Sequence, residues 1–232
     1  MPKYLAIDAS TEACSVALSL ENNVSSEFEL CPQSHSIVLL PMIDRLLKQA
    51  DVKLSDLDGL VFGRGPGSFT GVRIGVGVAQ GLAFSADLPV VGVSTLQTMA
   101  QQAYEKYQQT EVIAAIDARM SEVYAGYFKL NDCGVMAAVL EETVLPPAEI
   151  AEYLKAHTQG CYGVGSGYDA YQTELSSLKT NQGSPDILFP DASAMFNIAL
   201  KAFSDGNTVS AEHAQPVYVR DTVSWKKLPG RE

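Results

Sequence analysis

The chain has 232 residues, enough for one large domain or two small ones. A hydrophobic share of 47% against 19% charged residues supports a packed core and excludes a disordered chain. Lys and Arg total 16 against 27 Asp and Glu, and the resulting net charge of −11 argues against independent nucleic-acid binding, because neutralising phosphates needs cations.

From the N-terminus, Met1-Pro2-Lys3-Tyr4 runs straight into a strand pattern, with no apolar leader and cleavage site. Strands are expected at 3–9, 14–20 and 24–30, with Asn22-Asn23 supplying turn chemistry between the last two. A helix follows at 34–50, then a strand at 59–63, a helix at about 71–85, a strand at 89–93 and a helix at 94–106. Three strands followed by alternating helix and strand is the order of a ribonuclease-H-like lobe. The pattern then restarts. Ala6-Ile7-Asp8-Ala9-Ser10 is echoed by Ala115-Ile116-Asp117-Ala118-Arg119, and each is followed by a strand-like run, Cys14 to Leu20 and Glu122 to Phe128. A third strand is expected near 137–144, helices at 147–156 and 168–178, strands at 161–164 and 186–189, and a last helix at 191–204. The expected fold is therefore α/β, with two duplicated ribonuclease-H-like lobes as in the actin-like (ASKHA) superfamily. The first lobe spans 1–106, with the helix from about 191–204 a candidate to complete it; a smaller second lobe spans 107–232. The cations near the end, Arg220, Lys226, Lys227 and Arg231, read as a solvated tail.

Two helices carry more apolar surface than one core contact needs. At 34–50, Val38, Leu39, Leu40, Met42, Ile43, Leu46 and Leu47 cover about twice the ~100° stripe of a helix lying on a single core. The segment from Gly71 to Phe84 has only Arg73 and Gln80 as polar side chains. It also holds Gly71, Gly75, Gly77 and Gly81, although each interior glycine costs a helix about 1 kcal/mol relative to alanine. Gly71, Gly75, Ala79 and Ala83 share one face, which lets another backbone approach closely. A wide core contact and a second chain both fit. The expected partner surface is Leu39, Met42, Ile43 and Leu46 on the first helix with Val72, Gly75, Val76 and Ala79 on the second.

The glycine-rich run Gly63-Arg64-Gly65-Pro66-Gly67-Ser68-Phe69-Thr70-Gly71 enters that second helix. Such a loop either binds an anion at the helix N-terminus or makes a tight turn that permits close packing. It has no Lys-Ser/Thr pair closing a phosphate loop and lacks dinucleotide-binding spacing. The four cysteines, Cys14, Cys31, Cys133 and Cys161, form no CxxC pair and no zinc spacing, which fits free thiols in a reducing cytoplasm. The three histidines, His35, His157 and His213, lie far apart and receive no role; no metal site is expected.

Gly-Pro-Gly-Ser-Phe-Thr-Gly-Val-Arg-Ile-Gly from Gly65 to Gly75 resembles the signature of the TsaB (YeaZ) family. Ile7-Asp8-Ala9-Ser10-Thr11, Asp117-Ala118-Arg119 with Glu122-Val123-Tyr124, and Pro216-Val217-Tyr218-Val219-Arg220 agree with it. The resemblance spans essentially the whole chain. It implies a cytoplasmic, non-catalytic scaffold or activator, required with a TsaD-like catalytic subunit and a TsaE-like ATPase. That system transfers the threonylcarbamoyl group from threonylcarbamoyl-AMP to N6 of the adenosine beside the tRNA anticodon. It further implies a homodimer when alone, contact with tRNA only through the complex, and no membrane. The paralogue's metal-binding His-x-x-x-His pair falls on Thr95 and Met99 here, which are not ligands for that metal. The superfamily resemblance makes Asp8, Ser10, Thr11, Asp117, Arg119, Gly163, Gly165 and Gly167 the candidate nucleotide-binding residues, with ATP and Mg²⁺ held at most at a composite site. The alternative is a small-molecule kinase or acyltransferase of the actin-like superfamily. A metallopeptidase would need a HExxH or paired-histidine motif, and the sequence has neither.

Overall fold

The computed structural model describes residues 2–220 apart from Asn22 and Gln159. Lys226, Lys227 and Arg231 of the basic tail, and Asn22 of the expected turn, lie outside the described residues.

The first sheet is built from β1 (Lys3–Asp8), β2 (Ala13–Leu20), β3 (Asn23–Leu30), β4 (Gly59–Gly63) and β5 (Val90–Val93), in the order β3-β2-β1-β4-β5. The first three strands pair antiparallel, with Leu5 opposite Leu18; β4 and β5 run parallel to β1. Successive side chains point to opposite faces, so the two faces can be read separately. Leu5, Ile7, Val16 and Leu18 meet α1 (His35–Gln49) and α2 (Phe69–Ala86) on one face. Tyr4, Ala6, Ala17 and Val61 face the other way, onto α7 (Met195–Ser204). α2 starts at Phe69, two residues before the expected 71, because Ser68 accepts a hydrogen bond from the Gly71 N–H and caps it.

The second sheet comprises β6 (Glu111–Asp117), β7 (Val123–Leu130), β8 (Met136–Ala138), β9 (Thr143–Leu145) and β10 (Tyr162–Val164), in the order β10-β6-β7-β8, with β9 also pairing β7. On one face lie α4 (Pro147–Lys155), α5 (Gly167–Ala170) and α6 (Gln172–Leu175), which cover Ile113, Val123 and Tyr127. On the other lies α3 (Thr95–Tyr107), whose Leu96, Met99 and Ala103 pack on Val112, Ala114 and Phe128. The third helix in chain order thus serves the second sheet, while α7, which follows the second sheet, serves the first. The helix expected at 94–106 as the end of the first lobe packs on the second sheet, so the boundary near 106 divides the chain's order rather than its packing.

Three expected elements differ. The strand near 137–144 is two short strands, β8 and β9, separated at residues 139–142. The helix at 168–178 breaks at Tyr171, whose φ of −132° and ψ of 50° leave the helical region, and it ends in a 3-10 turn at Ser176–Leu178. Residues 186–189 form no strand. Buried Ile187 contributes one bond, accepting from the Gly165 N–H at 2.8 Å, and Pro190 stands three residues on. The antiparallel-then-parallel order of the first sheet, repeated in reduced form by the second, is that of two ribonuclease-H-like lobes of the actin-like superfamily.

Candidate functional site

A cleft of about 780 Å³ opens between the lobes. Its walls are the β1–β2 turn (Ser10, Thr11, Glu12), the glycine loop, the end of β6 with Arg119, and the returning segment Val217–Arg220. The lobes are tied across it. Arg119 Nη2 reaches Glu12 Oε1 at 2.7 Å, and the Val217 N–H of the returning segment donates to the Arg64 carbonyl at 2.8 Å; within the second lobe Arg220 pairs with Glu122 and donates to the Ala118 carbonyl at 3.2 Å. Arg73 lies 3.6 Å from the Phe69 ring centroid and donates to the Tyr218 hydroxyl at 2.8 Å, which fixes one lip of the cleft.

Of the eight candidate nucleotide residues, Ser10, Thr11, Asp117 and Arg119 line this cleft. Their polar groups are already engaged. Asp8 Oδ1 accepts from the Ser10 N–H at 2.9 Å and the Ser10 hydroxyl at 2.8 Å, and the Ala13 N–H donates to Thr11 Oγ1. Asp117 Oδ1 accepts from the Arg119 N–H and the Tyr171 hydroxyl, and its Oδ2 from Arg119 Nη1 at 2.9 Å. Asp8 is 1% exposed and sits behind the cleft wall, with Oδ2 unpartnered among the described residues and only 1.8 Å from where a Cβ on Gly63 would stand. Burial pushes its carboxyl up to about 6 against the opposing bonds from Ser10. Gly163, Gly165 and Gly167 lie outside the cleft lining and allow close packing on the second sheet. The Gly163 N–H donates to Asn181 Oδ1 at 2.8 Å, and Cβ atoms on Gly165 (φ +107°) and Gly167 would stand 2.0 Å and 3.0 Å from the Ala115 carbonyl oxygen.

The glycine loop is used for packing. A Cβ on Gly67 would stand 2.1 Å from the Ser10 carbonyl oxygen, and one on Gly71 2.2 Å from that of Ala9. The Ser68 N–H donates to the Ser10 carbonyl at 2.7 Å. Loop and helix start are therefore clamped to the β1–β2 turn. The two positions that match the paralogue's histidines are also committed: Thr95 Oγ1 donates to Ser10 Oγ at 2.9 Å, and Met99 is fully buried.

The expected partner surface needs correcting. Leu39, Met42, Ile43, Leu46, Val72, Gly75, Val76 and Ala79 all turn inward and are buried against the first sheet. They hold the helices on the core and are not available to a second chain. The outer faces of the same helices carry Ile37 (74% exposed), Leu40 and Pro41 on α1, with Gly77, Gly81 and Phe84 (77% exposed) on α2. Among the described residues a Cβ on Gly77 or Gly81 would meet nothing within 4 Å, so this outer glycine pair leaves the α2 backbone open to approach. The sequence contains two glycine stripes four residues apart, and spacing alone does not say which faces out.

Sequence spacing also missed a cluster. Cys14 on β2, Cys31 after β3 and His35 at the start of α1 are all buried, and one ligand atom from each lies within 4.8 Å of the others. The signal was a cysteine followed four residues later by a histidine, with the second cysteine brought in by strand pairing.

Comparison with known proteins gives one consistent answer. Residues 20–189 match the family model of TsaD, tRNA N6-adenosine threonylcarbamoyltransferase. The tRNA threonylcarbamoyladenosine biosynthesis protein TsaB of Escherichia coli is 47% identical over 99% of this chain and 100% of its own length. That of Haemophilus influenzae is 43% identical over 98% of each. A crystal structure from Pseudomonas aeruginosa, described as an uncharacterized protein with similarity to peptidase YEAZ, superposes with a TM-score of 0.87 at 44% identity, covering 95% of this chain and all of that one. The chain belongs to the TsaB family.

Proposed function

We propose that this chain is a non-catalytic partner subunit in the synthesis of threonylcarbamoyladenosine in tRNA. It acts in the cytoplasm with a TsaD-like catalytic subunit and a TsaE-like ATPase. The relatives' shared name and the match to the TsaD family model support the pathway. The observation that carries the partner role is the outer face of α1 and α2, where Ile37, Leu40 and Phe84 are exposed beside the open backbone at Gly77 and Gly81. Apolar side chains around a glycine-lined groove suit a second helix pair, from a TsaD-like subunit or, when the chain is alone, from another copy. Contact with tRNA is left to the complex, in keeping with the net charge of −11.

On this reading the isolated chain does not hold Mg-ATP tightly, because the carboxylates and turn donors of its cleft already bind one another. Tight magnesium-dependent ATP binding to the pure protein, seen by calorimetry, would overturn that part. The test of the partner role is size-exclusion with light scattering, alone and with the TsaD-like subunit of the same organism. Leu40→Glu and Gly77→Glu should abolish the heterodimer without lowering Tm. Leu39→Glu or Val76→Glu would place a charge in the core and report on folding instead. Retention of the heterodimer by both surface variants would move the interface elsewhere.

A further inference from the structure

We propose that Cys14, Cys31 and His35 form a binding site for one zinc ion. Two thiols and an imidazole have converged here from β2, from the residue after β3 and from the first turn of α1, all buried, with ligand atoms within 4.8 Å. This is a ligand set and a spread that a tetrahedral zinc ion accepts. His35 is also held as a metal-bound histidine is held. Its Nε2–H donates to the Thr11 carbonyl at 2.7 Å, so a neutral ring presents its lone pair on Nδ1.

The competing outcome for a close cysteine pair is a disulfide, and the strand register disfavours it. Cys14 stands opposite Glu29, and the Cys31 N–H donates to the Glu12 carbonyl at 3.0 Å, so the cysteines are diagonal rather than direct neighbours. Diagonal neighbours are typically ~7–8 Å apart at Cα. A disulfide needs about 4.4–6.8 Å. An ion bridging two sulfurs spans the larger gap. Charge selects the ion: two thiolates and a neutral imidazole neutralise a dication, whereas monovalent copper would leave a net negative charge in a buried place near Asp8. Binding is a proton exchange: zinc enters, two thiol protons leave, and nothing is oxidised. Three protein ligands leave one position for water. Thr11 and His35 lie on the cleft wall, so ion and water arrive from the cleft. The bound ion ties the β2–β3 hairpin to the start of α1.

The test uses the full-length, reduced protein. Zinc added and then removed by desalting should leave one equivalent per chain by elemental analysis. Calorimetry in buffers of different ionisation enthalpy should report release of two protons. Cobalt(II) in place of zinc should give a thiolate-to-cobalt charge-transfer band and the intense visible bands of a tetrahedral site. Cys14→Ser and Cys31→Ser should each lose the equivalent and the band, while Cys133→Ser, at an exposed thiol, keeps both. Because the ligand variants alter the core, the wild-type cobalt spectrum and a zinc-induced rise in Tm stand as independent readouts. No stoichiometric uptake by wild type, uptake unchanged in Cys14→Ser, or a mapped Cys14–Cys31 disulfide in protein purified without reductant would each overturn the proposal.

Discussion

Asp8 carries one engaged carboxylate oxygen and one bare one, sealed beneath the turn that lines the cleft. Its folded-state value of about 6 lies above the ordinary aspartate value of 3.8. Below about pH 4 both folded and unfolded chains hold the proton, and the carboxyl costs nothing. From there to about pH 6 the unfolded chain releases its proton first, so stability falls as pH rises; above that the cost is complete, at about 2–3 kcal/mol. Urea unfolding of wild type and Asp8→Asn at intervals from pH 4 to 7 should show the wild type losing about that much relative to the variant. Parallel profiles would mean that Asp8 is not the titrating group. The sequence marked Asp8 as chemically important by its place at the end of a strand. Its burial depends on Gly63 of the parallel neighbour, β4, a contact that no local pattern encodes. The Cys14, Cys31 and His35 cluster was hidden for the same reason, since one cysteine arrives by strand pairing.

The two glycine stripes of α2 make opposite demands on the same helix. Gly71 continues the clamp begun by Gly67, where the backbone of the β1–β2 turn lies too close for a side chain. Gly77 faces open space. Gly67→Ala should therefore destabilise the protein by at least about 1–3 kcal/mol, since backbone has to move. Gly77→Ala should stabilise the free protein by about 0.5–1 kcal/mol through helix propensity. Denaturant midpoints decide both, and equal effects of the two substitutions would refute the division. The excess of apolar surface on α1 and α2 was legible in composition and period. Which half faces the sheet was not, because both halves are apolar and only the paths of β2 beneath α1 and β4 beneath α2 select between them.

At the scale of the molecule, the lobes meet where α3 packs beside α7 and the turn at Ala192–Ala194, and through polar ties across the cleft. Arg119 is the central one, joining Asp117 of its own lobe to Glu12 of the other, yet its side chain is 71% exposed. Arg119→Ala should cost stability no more than about 1 kcal/mol. It should raise hydrogen exchange in both Ser10–Glu12 and Asp117–Met120; exchange unchanged in both segments would show that the ion pairs do not hold the cleft. The duplication itself was visible in the echo of Ala6–Ser10 by Ala115–Arg119, and so was the order of most elements. The helix at about 191–204 was already a candidate for the first lobe, but the passage of α3 to the second sheet was not legible, because an apolar helix carries no mark of the sheet that it will cover. The return of α7 to the first sheet also bears on synthesis. As the chain leaves the ribosome, Tyr4, Ala6 and Val61 are made early, but the helix that covers them is encoded at Met195–Ser204. At about 5–20 residues per second the wait is on the order of ten seconds. For that time one face of a finished sheet stays bare, which makes the nascent chain a natural client for a chaperone and makes truncation anywhere before α7 a route to aggregation rather than to a stable half-molecule.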